Sequence, residues 1–165
     1  MSRFVTLFCS LGVVTEKDDQ DSVLCSLWDT INTSDVAQFY LENDIMDVLG
    51  LILSRSQSAR LTELTAGIVA NLVYNGPDNI ESFKKCIEIK DLVLKNDDSL
   101  ALYQMFRILR GCSYKFTSFT DFYEKMEDED FEKKISFILE NSMHRQLLNE
   151  VVLFCHDIKV HYENG

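Results

Sequence analysis

The sequence predicts an all-α protein: a short right-handed superhelical stack of about three helical repeats, in one domain spanning 1–165. Three observations predict it. Pro77 is the single proline and there are six glycines, too few breakers for the many turns of an all-β chain. Apolar residues recur at i, i+3 and i+4, the spacing of one helix face. The same inward-facing positions return after 41 and then 45 residues: Leu61, Leu102 and Leu147; Ile68, Leu109 and Phe154; and Leu53, Leu94 and Leu139. Thr65, Phe106 and Val151 share these offsets, the first only half apolar.

The elements follow in order. After Arg3, residues 4–14 form an apolar run with Phe4, Leu7, Phe8 and Leu11 on one helix face. The run is shorter than the roughly 20 residues a bilayer needs. The acidic turn 16–21 leads to a helix at about 22–32, with Val23, Leu24, Leu27, Trp28 and Ile31 on one side. Ser34 or Asp35 is placed to cap a short helix holding Val36, Phe39 and Tyr40. Asp44 starts the next, with Ile45, Val48, Leu49, Ile52 and Leu53 as its stripe. A turn at 54–58 precedes a helix over 59–74, stopped by Asn75, Gly76 and Pro77. Two weaker helices are expected near 79–86 and 88–95, with a break at 97–99. A strong helix covers 99–112, with Leu102, Met105, Phe106 and Leu109 inward. Further helices start at Thr120 or Asp121, run over 131–140 after the acidic stretch 127–130, and close the chain at 143–162.

A helix, a polar turn and a longer helix, repeated every 40–47 residues, is the period of armadillo and HEAT repeats. The expected units are 36–75, 79–114 and 121–162, with 1–33 completing or capping the stack. Stacking such units builds a continuous core and leaves a concave face for a partner.

Within this frame the segment Ala66-Gly67-Ile68-Val69-Ala70-Asn71-Leu72 resembles the third helix of an armadillo repeat, where a small pair permits close packing. Leu27-Trp28-Asp29, Asp35-Val36-Ala37 with Phe39, Leu49-Gly50 and Leu53 with Ser54 and Ser56, Arg60-Leu61 with Glu63, and Gly67-Ile68 with Asn71 resemble, in order and spacing, the serum amyloid A-like armadillo-type family. The resemblance covers about 25–75 and implies an intracellular, often nuclear, non-enzymatic protein. Members of that family carry further sequence ahead of this region; a Met1 that is an internal start would leave part of the first repeat missing.

Charge and cysteines bound the function. The formal net charge is −11 and no basic stripe exists, so nucleic-acid and anionic-membrane binding are not expected, and a protein partner with a basic patch is. Cys9, Cys25, Cys86, Cys112 and Cys155 are odd in number and contain no CxxC, which suits a reducing compartment, nucleus or cytoplasm. Cys155, His156 and His161 lack the clustered spacing of a tetrahedral metal site, so neither metal nor cofactor is expected. No GxGxxG, P-loop, HExxH or paired Glu-x-x-His motif occurs, and the acids concentrate in turns; an enzyme is not expected.

The candidate partner-binding residues are Trp28, Arg60, Glu63 and Asn71. The lone tryptophan fits a core stripe or an interface anchor. In peptide-binding armadillo proteins an asparagine at the place of Asn71 bonds the backbone of an extended ligand, and the repeat offsets put Cys112 and Asp157 at the equivalent positions, so that ladder is broken. The other reading is that Asn71 caps or bridges neighbouring turns. Two further functional readings are a secreted or membrane-associated protein using 4–14 as a signal, with Ser10 and Gly12 near its cleavage site, and a small helical enzyme.

Overall fold

A computed structural model describes residues 17–77, 80–115 and 120–164, with side chains described outside 17–20, 80–87, 120–121, 123 and 161–164. The expected helix at 4–14 lies outside the described residues. Every described element is an α-helix: α1 (Lys17–Thr30), α2 (Ser34–Leu41), α3 (Ile45–Arg55), α4 (Ala59–Asn75), α5 (Ile80–Lys95), α6 (Ser99–Lys115), α7 (Thr120–Met126), α8 (Glu129–Asn141) and α9 (Arg145–Asn164). None is long and apolar enough to cross a membrane. The chain divides into two compact units, Met1–Pro77 and Asp78–Gly165, each described by itself.

In the first unit α4 is the hub, with α1, α2 and α3 all packed on it. Ten of its residues are buried, including the small Ala66, Gly67 and Ala70, whose missing bulk lets neighbouring helices come close. The Ser58 hydroxyl caps its start by accepting from Leu61 N–H at 3.3 Å. At its end Gly76 N–H donates to Leu72 C=O at 2.8 Å, and a Cβ there would run into the Leu72 backbone oxygen as well as Leu41 Cδ1, so glycine is required by space. Ile45, Leu49 and Leu53 of α3 turn inward as their spacing predicts, joined by Met46.

One local expectation is corrected in this unit, and two positions gain detail. The residue before α2 is Thr33, and no side chain caps that helix. Asp44 precedes α3 but makes no side-chain cap; its φ of 61° puts it in the left-handed region, which aspartate tolerates better than most residues, and there it reverses the chain between α2 and α3. Phe39 is 55% exposed, because Ala37 takes the inward place on this eight-residue helix and residue 39 lies about 200° further round.

In the second unit α6 is the hub, again with ten buried residues, against which α5 and α9 pack. Phe106 of α6, Phe131 of α8 and Phe154 of α9 form a closed aromatic trio, with ring centroids 5.7–6.2 Å apart. The two helices expected at 79–86 and 88–95 are one continuous helix, α5, since no glycine, proline or capping residue separates them. The starts of α4, α6 and α9 at 59, 99 and 145 lie 40 and 46 residues apart, each within one residue of the inward offsets. Ile68, Leu109 and Phe154 are buried, as are Thr65, Phe106 and Val151. Leu53 is buried and Leu94 half-buried, but Leu139 is 41% exposed and Ile138 takes the inward place one residue earlier.

Asp128 fastens α8 to α5. One carboxylate oxygen accepts from Phe131 N–H at 2.9 Å and caps α8, while the other meets Lys90 Nζ at 2.9 Å. The lysine bond and then the amide hold this carboxyl below the ordinary aspartate range. Its folded pKa is therefore lower than its unfolded one, so its contribution to stability is present above the unfolded value and is lost as pH falls through the folded one. Asp128→Asn keeps an acceptor for the cap and removes the charge. Urea midpoints measured against pH are expected to show wild type above this variant near neutrality, with the gap closing below about pH 4.

Candidate interaction site

The residues singled out by sequence are brought together on the seam between α1 and α4. Arg60, Glu63, Gly67, Asn71 and Asn75 are spaced three or four apart and form one stripe on α4. Opposite them on α1 and its end stand Cys25, Trp28 and Ile31. The pairs advance together along both segments: Arg60 with Cys25, Gly67 and Asn71 with Trp28, and Asn75 with Ile31.

The Trp28 ring lies directly on the α4 backbone. A Cβ at Gly67 would overlap its six-membered ring, so glycine at 67 is a packing requirement, not a conformational one. Below the ring, Asn71 Nδ2 donates to Trp28 C=O at 3.4 Å and Asn75 Nδ2 to Ile31 C=O at 3.2 Å. These bonds complete the accounts of a helix end, whose last carbonyls have no partner within the helix. Leu27 C=O accepts from Thr30 Oγ1 at 2.8 Å and Asp29 C=O from Asn32 Nδ2 at 3.2 Å. Thr30 C=O accepts from Asn32 N–H at 3.0 Å. All five carbonyls from 27 to 31 are thus satisfied, two of them by α4.

At the other end of the stripe Arg60 Nη1 bonds Glu63 Oε2 at 2.8 Å, and Nη2 reaches Cys25 Sγ at 3.7 Å. The Glu63 bond holds the guanidinium firmly protonated. The Arg60 side chain is 49% exposed and that of Glu63 only 12%, so the arginine presents one half to solvent and the glutamate little.

Asn71 therefore bridges neighbouring helices, and its equivalents are also engaged. Cys112 is buried on α6. Asp157 accepts from Arg110 Nε at 3.2 Å, and the same guanidinium reaches Glu150 at 3.3 Å and Tyr114 Oη at 3.1 Å. Burial works against the Arg110 charge, but its bonds to Tyr114 and Glu150 outweigh that and raise its pKa. Sequence reasoning missed Asn75 as a seam residue; its spacing of four from Asn71 was the available signal. Among the described residues no three His, Cys, Asp or Glu side chains converge to hold a metal, and the His161 side chain lies outside them.

Compared with known proteins, the chain is similar to Protein saal1 of zebrafish (Danio rerio), 29% identical over 97 residues. The match covers 58% of this chain and 21% of that protein, so the chain spans about a fifth of the relative's length. No family model matches, and no solved structure matches.

Two substitutions test the seam. Gly67→Ala gains about 1 kcal/mol of helix propensity but forces the Trp28 ring to move, and overpacking of this kind costs about 1–3 kcal/mol. Net destabilisation is expected in urea titration, with a shifted emission maximum from the single tryptophan. Asn71→Asp keeps the shape but points a carboxylate at a carbonyl, whereas Asn71→Ala only removes the donor, at a cost of about 1 kcal/mol. The aspartate variant is expected to have the lower urea midpoint; equal midpoints would mean the amide donates nothing there.

Proposed function

We propose that the chain is a non-enzymatic protein-interaction module, an armadillo-type helical repeat related to the serum amyloid A-like proteins, acting in the nucleus or cytoplasm as a scaffold or adaptor. The observation that carries this reading is the recurrence of a long helix at 59, 99 and 145, with Ile68, Leu109 and Phe154, and Thr65, Phe106 and Val151, buried in the three. Repeats of this kind bury one face on their neighbours and use the other for binding. The similarity to Protein saal1 supports the family, and the net charge of −11 supports a partner with a basic patch, since opposite fields steer association.

Trp28 and Asn71 serve this role as framework, holding α1 on α4; Glu63 steadies Arg60, whose solvent-facing half is the part of the seam left to meet a partner. The ordered asparagine ladder of peptide-reading adaptors has no counterpart, so a discrete patch is the expected mode of binding.

Affinity capture with the tagged full chain, followed by mass spectrometry, tests the reading. A reproducible partner is expected at about 0.15 M salt and is expected to weaken as salt rises and screening shortens. Absence of any partner in repeated captures from nuclear and cytosolic extracts would count against the module.

A further inference from the structure

The second unit carries an open apolar groove between α8 and α9, about 360 Å³ in volume. Its floor is Phe131 and Phe154, two members of the aromatic trio, and both are fully buried below it. Ile135, Cys155 and Ile158 form its walls and are half-buried, so their apolar surface faces the opening. At its rim stand the exposed carboxylates of Glu127 and Glu132, and among the described residues no cation lines it. The two lysines of α8 are committed elsewhere: Lys133 to Glu129 at 2.7 Å and Lys134 to Asp97 at 2.7 Å. Neither Glu127 nor Glu132 has an ionic partner among the described residues. A second groove of about 310 Å³, lined by Leu102, Ile138 and Leu147, differs on this point, since its acidic residue Asp97 is neutralised by Lys134.

The geometry points to the α8–α9 groove as the docking site for a basic amphipathic segment of a partner protein, one that inserts one or two aliphatic side chains over Phe131 and Phe154 and sets flanking Lys or Arg against Glu127 and Glu132. This rests on the interaction reading above and gives it a surface. The volume sits at the small end of ligand pockets, roughly 300–1,000 Å³, enough for side chains from a helix laid along the opening. The charge argues for this occupant over a second copy of the chain. Two copies would bring like carboxylates together on molecules that each carry −11. Cys155 supplies an internal reporter: burial raises its thiol pKa, so it reacts slowly until a reagent enters the groove, and an occupant would shield it further.

The test uses the full chain and a synthetic Leu/Lys amphipathic helix of about 18 residues, five turns long, with the Leu/Glu peptide of the same pattern as control. Binding is followed by fluorescence anisotropy. The Leu/Lys peptide is expected to bind and the Leu/Glu peptide not to. Glu127→Lys with Glu132→Lys is expected to weaken binding by about tenfold or more. Asp29→Lys with Asp35→Lys, an equal charge change at exposed sites in the first unit, is expected to leave it within about twofold. Bound peptide is expected to slow alkylation of Cys155 and not of Cys25. Equal loss in both charge-reversed variants, or an unprotected Cys155, would overturn the site as mere attraction to an acidic protein. Concentration-dependent dimerisation in sedimentation, weakened by Ile135→Asp and not by the Leu/Lys peptide, would overturn it in favour of self-docking. A partner captured from extract that binds the Glu127→Lys, Glu132→Lys chain as well as wild type would remove the groove and leave the interaction reading standing.

Discussion

A helix buried on nearly all sides sets the terms for each unit. Such a helix must be small where neighbours cross it and must find partners for the polar and charged groups it covers. α4 and α6 meet these terms in parallel ways. Thr65 returns its hydroxyl to Leu61 C=O at 2.7 Å, and Ser113 returns its own to Arg110 C=O at 2.7 Å. The buried Gln104 accepts from Arg107 at 2.6 Å. Thr65, Gln104 and Ser113 thus use their own helix as partner, and the shorter helices are free to contribute apolar faces.

The same constraint explains why the α1–α4 seam is spent on structure. α1 ends against α4, and its last carbonyls would otherwise be left partly buried without donors. Asn71 and Asn75 supply two of those donors, and the bare backbone at Gly67 supplies a bed for Trp28. An amide that closes a helix end is not offered to a ligand. Apolar surface and unpaired charge remain together elsewhere, in the second unit at the opening between α8 and α9.

Much of the fold was legible because helix periodicity reports burial directly. The stripes of α3, α4 and α6 came out inward, and the stop at Asn75, Gly76 and Pro77 ended α4. The misses have separate physical causes. Phe39 and Leu139 are apolar yet exposed, because a short or peripheral helix has a narrow contact face and a neighbouring residue, Ala37 or Ile138, holds it. The start of α2 was misread at Ser34 or Asp35, because several residues suited to capping stand side by side and Thr33 precedes the helix instead. The join within α5 was missed because weak amphipathicity looks like interruption when no breaker is present to mark one.

The sequence by itself determined the all-helical class, the order and approximate bounds of the described helices, and the close approach of another element at Gly67, because periodicity, breakers and small residues act locally. It also grouped Trp28, Arg60, Glu63 and Asn71, but not what each one faces. Only the tertiary structure decided that Asn71 looks across to the end of α1, that Asp157 meets Arg110, and that Glu127 and Glu132 edge an apolar groove. Those are relations between residues tens of positions apart, and they are set by how helices pack, which no local pattern records.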